Sequence, residues 1–221
     1  MVAFFIFVLM WLTKKIEFPS VETTTEEGVI ALGGDLSIER LILAYQKGIF
    51  PWYSENEPII WYCPSKRMVL FPEELKVSKS MKKIIKKGNY KITENKAFEE
   101  VIFNCKHIIR NDDFGTWITD DMEKAYIDLN KKGLAKSIEV WFYNSNTKEE
   151  VLVGGLYGID LGNGVFCGES MFSLISNASK IAFIHLVQHY GYKLIDCQVY
   201  NDHLASLGAR EISRKEFLKM L

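Results

Sequence analysis

VFCGESMFSLISNASKIAFIHLVQHYGYKLIDCQV, residues 165–199, is the stretch whose reading decides the fold. It opens with a short apolar run at 165–167 that reads as a strand. Asn177 then stands as an N-cap before a helical stretch that ends near Gly191. Residues 193–199 read as a strand again. Strand, helix and strand in succession form a crossover unit, the element that places strands side by side in one sheet.

Working outward, residues 137–143 alternate as a strand and 150–156 supply its neighbour. Thr119 caps a helix carrying Met122, Tyr126 and Leu129 that stops at Gly133. Residues 96–105 form a helix with Phe98, Val101, Ile102 and Cys105 on one side. At the far end, Ser213 and Glu216 have capping-box spacing before a last short helix. Gly154, Gly155 and Gly158 read as a turn between strands, not as a dinucleotide fingerprint, which needs a helix after it.

The N-terminal third reads differently. Residues 35–48, DLSIERLILAYQKG, form a helix capped by Ser37 and stopped by Gly48, with Leu41, Ile42 and Tyr45 on its apolar face. Residues 49–64 hold three prolines and many aromatics, which argues against regular structure. The expectation is an α+β (mixed α/β) protein: a small, helical N-terminal domain over 1–72 and a larger mixed-sheet domain over 73–221.

The chain has 221 residues, is 48% hydrophobic and carries a net charge of -1, which fits a globular protein and excludes a disordered one. Any nucleic-acid contact must therefore come from a local patch. Cys63, Cys105, Cys167 and Cys197 are scattered, so neither a zinc site nor a secreted disulfide framework is expected, and reduced thiols in a cytosolic protein are. Residues 2–12 are apolar, but about twenty residues are needed to span a bilayer. A buried strand or helix, or a misplaced start, is expected there, with a weak membrane tether as the alternative and no stable membrane association.

The clearest electrostatic feature is residues 76–91, with seven lysines and no acidic residue. Met81, Ile84 and Ile85 at helical spacing leave Lys82, Lys83, Lys86 and Lys87 on the opposite face. Such a face supplies phosphate contacts; a merely solvated helix face is the alternative. His185 and His189 have the spacing of half a metal site but no third ligand, so no metal is expected. His203 lies near a loop, where a catalytic role is open, but an ordinary structural histidine is the better reading. Asp196 and Gln198, two apart on a strand, point the same way with Cys197 reversed. They sit in an apolar segment, and a buried polar pair needs partners or a task. Glu169 is a second carboxylate beside glycine and near aromatics.

Several of these segments together resemble the leucyl/phenylalanyl-tRNA–protein transferase family: ALGGDLSIERLILAYQKGIFPWYS from Ala31, PIIWYCPSKR from Pro58, TWIT from Thr116, SIEVW from Ser137, LVGGLYG from Leu152, FCGESMFS from Phe166, NASKIA from Asn177 and LIDCQVYNDHLASLGAREISRKEF from Leu194. They run in family order over nearly the whole chain. The resemblance implies an acetyltransferase-like larger domain that moves leucine or phenylalanine, and methionine less well, from aminoacyl-tRNA to proteins beginning with Arg or Lys, marking them for degradation. It implies no cofactor. It places an apolar aminoacyl pocket on Trp52, Trp117, Tyr126, Leu156, Phe166, Met171 and Ile195, a catalytic pair on Asp196 and Gln198, Glu169 in the substrate site, and tRNA contacts on Lys86 and Lys87. In the mechanism this suggests, Asp196 accepts a hydrogen bond from the Gln198 side-chain amide. A cytoplasmic monomer is expected. Departures at Tyr62, Cys63, Ser65 and Lys66, at Lys136 and at Leu156 bear on amino-acid preference rather than on the reaction. The rival readings are an acyl-CoA N-acyltransferase, for which Gln188 to Gly191 is a poor match to the pyrophosphate loop, and a non-catalytic RNA-binding module.

Overall fold

The computed structural model of the chain describes residues 9–108, 116–144 and 149–221. Most of the apolar N-terminal run, residues 2–8, lies outside them. Its end forms strand β1 (Met10–Leu12), of which Leu12 is buried while Met10 and Trp11 are exposed.

The N-terminal portion is built on a sheet, which corrects the expectation of a helical one. Strand β1 runs parallel to β2 (Val29–Gly33). Helix α1 (Ile38–Gln46) follows β2. The supposed irregular loop then contributes β3 (Phe50–Pro51) and β4 (Ile60–Tyr62). The four strands lie in the order β1-β2-β4-β3. Pro51 is tolerated because β3 is an edge strand, where a missing N–H breaks no ladder. Trp61 is fully buried on β4, its indole N–H donating to the Gly33 carbonyl at 2.9 Å. Ser37 does not cap α1 with its side chain; instead Asp35 accepts from both the N–H and the hydroxyl of Ser37.

A seven-stranded sheet forms the rest. It comprises β5 (Lys66–Leu70), β6 (Tyr90–Glu94), β7 (Ala135–Asn144), β8 (Glu149–Asp160), β9 (Val165–Ser173), β10 (Leu194–Gln198) and β11 (Arg210–Ser213), in the order β11-β5-β10-β9-β8-β7-β6. Neighbouring strands are antiparallel except β9 and β10, which are parallel. Helix α5 (Ala178–His189) makes the crossover between them, as the sequence suggests. Lys66–Leu70 already belongs to this larger sheet, so the chain changes sheets between Tyr62 and Lys66. The fold class is the expected mixed α+β.

Strand alternation divides the core in two. Val165 and Cys167 face the layer of α1, α3 (Phe98–His107) and α4 (Asp120–Lys131), while Phe166 and Ile195 face α5. Helix α5 is apolar on nearly every side and has eight buried residues, as a helix sunk between sheet and flanking chain must be. Met81 of α2 (Lys79–Lys87) joins that second cluster. Gly154, Gly155 and Gly158 are not a turn: they lie within β8. A Cβ at Gly154 would collide with the methyl of Ala178 and one at Gly158 with the Cys167 carbonyl, so the glycines let α5 and β9 sit directly on the strand.

Candidate active site

The parallel pair β9–β10 is short. Leu194, Ile195 and Asp196 register against Val165, Phe166 and Cys167, and there the pairing ends. Strand β9 continues alongside β8 to Ser173. Strand β10 instead shifts register against β5 between Asp196 and Gln198, and Gln198 adopts φ 62°. The two strands part, and Glu169 and Gln198 stand on either side of the split. They line a cleft of about 1540 Å³ that runs from the small sheet, past the split, to the start of α5.

The Gln198 side-chain amide donates to Glu169 Oε1 at 2.9 Å, and Tyr126 donates to Glu169 Oε2 at 2.8 Å. The Tyr126 hydroxyl in turn meets that of Tyr45. Burial pushes the Glu169 carboxyl up to about 8; hydrogen bonds from Tyr45 and Tyr126 pull it down, and the nearby Asp196 charge pushes it further up. Glu169 is thus largely a neutral acid near pH 7. Burial, followed by the Glu169 charge, holds Tyr45 and Tyr126 well above the ordinary phenol range.

Asp196 is completely buried. Its Oδ1 accepts from Arg67 Nε at 2.7 Å and its Oδ2 from Arg67 Nη2 at 2.6 Å. Oδ1 also accepts the backbone N–H of Gln198 at 2.9 Å. The expected link from Asp196 to the Gln198 side chain is therefore corrected. The link runs through the main chain, because the register shift brings that N–H over the carboxylate and the side-chain amide is taken by Glu169. Gln198 does stay on the Asp196 side, with Cys197 turned towards the α5 cluster. The Arg67 guanidinium lies over the rings of Phe50 and Phe217, 4.6 and 4.7 Å from their centroids. Burial alone would lower its pKa, but the Asp196 carboxylate more than offsets this and holds Arg67 above its usual range. Breaking such a buried pair by removing one partner costs about 3–5 kcal/mol.

Of the residues expected in the apolar pocket, Trp52, Trp117, Leu156, Phe166, Met171 and Ile195 line the cleft. Trp52 is exposed at its mouth, whereas Leu156, Phe166 and Ile195 form buried wall. Tyr126 is a correction: it does not line the cleft but sits behind Glu169 and holds it, because its hydroxyl needs a partner where an apolar ring would not. Lys82, Lys83, Lys86 and Lys87 are exposed on α2, none of them in the cleft wall. The stripe is less clean than its spacing implies, since Ile85 is 38% exposed. His185 and His189 stack on each other. No group of three or more His, Cys, Asp or Glu side chains that could hold a metal occurs among the described residues. His203 lines the cleft, half-buried, its pKa lowered by burial and then by Lys180.

Sequence reasoning missed Arg67, Tyr45 and Lys180, the last a cleft residue at the start of α5. Arg67 leaves one signal: a charge immediately before the apolar run Met68–Phe71, in a strand with no room for it unless paired.

A family model described as "Leucyl/phenylalanyl-tRNA protein transferase" matches residues 69–221, and one for the N-terminal domain of the same name matches residues 34–65. The chain is 58% identical over 216 residues to the leucyl/phenylalanyl-tRNA–protein transferase of Flavobacterium johnsoniae, covering 96% of this chain and 99% of that one. It is 53% identical over 214 residues to that of Flavobacterium psychrophilum, covering 96% and 98%. Among solved structures it is similar to FemX, with a TM-score of 0.48 at 10% identity, over 83% of this chain and 71% of that one.

Proposed function

The chain belongs to the leucyl/phenylalanyl-tRNA–protein transferase family, and from that premise we propose that it is an aminoacyltransferase that moves leucine or phenylalanine from a charged tRNA to the N-terminal α-amine of a protein. The observation that carries this reading is the split between β9 and β10, where Glu169 and Gln198 meet at the wall of a cleft that also has an apolar section, formed by Leu156, Phe166, Met171 and Ile195. At about 1540 Å³ the cleft exceeds the usual 300–1,000 Å³ of a single small-molecule site, as a reaction joining two substrates requires.

The donor ester is already activated, so no cofactor is needed. The acceptor α-amine has a reference pKa of about 8 and a usable neutral fraction near pH 7. Its nitrogen attacks the ester carbonyl, the new amide C–N bond forms and the ester C–O bond breaks. The amine proton ends on the departing ribose oxygen, so charge and atoms balance. Gln198 Nε2 is committed to Glu169, which leaves Oε1 to accept from the attacking amine and orient it. An amide oxygen is too weak a base to keep the proton, so the residue's contribution is positioning. Glu169 takes the polar end of the substrates, and Leu156, Phe166, Met171 and Ile195 take the aminoacyl side chain together with Trp52 and Trp117. One methylene in such a pocket discriminates by roughly 1–3 kcal/mol, so methionine is also accepted, less well.

Lys82, Lys83, Lys86 and Lys87 provide phosphate contacts for the tRNA. Acceptors begin with Arg or Lys, the product is marked for degradation, and the enzyme acts as a monomer in the cytoplasm. No helix of the described residues is long and apolar enough to cross a membrane. Labelled phenylalanine on tRNA, offered with an Arg-starting peptide, tests the reading: the label should move to the peptide. Absence of transfer with binding of acyl-CoA would favour the acyl-CoA N-acyltransferase alternative, and tRNA binding without transfer would favour a non-catalytic RNA-binding module.

A further inference from the structure

We propose that Arg67 is a positioning residue for aminoacyl transfer, and that by gripping Asp196 with two hydrogen bonds it fixes the backbone of Gln198 and so aims the Gln198 carboxamide into the cleft. The proposal rests on the reading of that cleft as the transfer site.

Three observations carry it. Both oxygens of Asp196 are already engaged. Oδ2 is engaged by Arg67 Nη2, Oδ1 by Arg67 Nε and the Gln198 N–H, and the carboxylate is wholly buried. It therefore acts through its neighbours. Gln198 is next. Its φ of 62° is a conformation that non-glycine residues hold only where the surroundings impose it. The bond from its own N–H to Asp196 anchors the peptide from which that conformation starts, and the bond from its side chain to Glu169 holds the other end. Last is the clamp on Arg67. Phe50 of the small sheet and Phe217 of the C-terminal helix α7 (Arg214–Leu218) both pack their rings against the guanidinium, and Nη1 donates to the Gly48 carbonyl at 3.2 Å. Both sheets and the chain end thus converge on one planar group. A lysine would supply the charge but neither the fork nor the flat faces.

The test compares wild type with Arg67→Lys. It reads kcat and KM for Phe-tRNA and for an Arg-starting peptide, and the NMR shift of the Gln198 backbone amide proton, which is downfield when it donates to a carboxylate. The expected result is a kcat lower by on the order of tenfold or more, both KM values within about twofold, and an upfield move of the Gln198 amide. Full kcat in folded Arg67→Lys, a loss carried by KM alone, or an unmoved Gln198 amide overturns the proposal. Phe217→Leu keeps both charges and loosens the same clamp, so it decides by the same readouts if Arg67→Lys does not fold. Should wild type transfer nothing, the functional reading falls, and the amide shift alone judges the role of Arg67.

Discussion

Gln198 bonds to two carboxyl groups at once: its side-chain amide donates to Glu169 and its backbone N–H to Asp196, each at 2.9 Å. One residue thus ties the cleft wall to its buried foundation. The two carboxyl groups consequently have different duties. Asp196 is neutralised by Arg67 and holds main chain; Glu169 stands at the cleft wall and holds side chain.

Gln198→Ala removes the carboxamide and leaves the Asp196 contact to the backbone in place. Turnover should fall by on the order of a hundredfold or more with tRNA affinity within about twofold, since the lost contact acts on the attacking amine. Steady-state kinetics beside a filter-binding titration separate the two. Lost tRNA binding with preserved turnover would remove the assigned role.

Glu169 should make stability depend on pH. Its carboxyl lies near 8 in the fold, against 4.5 for the free side chain. The folded protein therefore binds this proton more tightly than the unfolded chain does. That contribution is fully present below about pH 4.5 and is lost as pH rises through about 8. Between about pH 5 and pH 9 the Tm of wild type should fall more steeply than that of Glu169→Gln, which carries no titrating group there. Parallel curves would contradict the shift.

Lys86→Ala combined with Lys87→Ala should weaken tRNA binding and reduce the slope of log K against log salt by about 1.5–2. Equal affinity and slope would return the α2 lysines to a solvated surface.

Gly154→Ala tests the packing of α5 on β8. The added methyl meets Ala178, part of the helix start and not a flexible side-chain tip, so the variant should lose about 1–3 kcal/mol of stability. Calorimetry reads this directly, and an unchanged Tm would mean that the helix can ride away from the strand.

What the sequence discloses depends on the range of the interaction. The β9–α5–β10 crossover is legible because strand, helix and strand each carry a local pattern, and the capping box at Ser213 and Glu216 forms as its spacing implies. The small sheet is not legible, because strands such as Phe50–Pro51 are too short for alternation to register. Gly154 and Gly158 read locally as a turn; the helix and strand that require them lie elsewhere in the chain. Arg67 looks like a surface charge until Asp196, 129 positions away, is brought to it. Tyr126 illustrates the limit of residue type as a guide, since its ring suggests a pocket wall and its hydroxyl decides its place behind Glu169.

The most direct measurement is a crystal structure with a phenylalanyl-adenosine amide, in which an amide replaces the reactive ester. The expected result places the phenyl ring among Leu156, Phe166, Met171 and Ile195, with the acyl carbon beside Gln198. Density for the analogue away from the split between β9 and β10, with Glu169 and Gln198 untouched, would contradict the account.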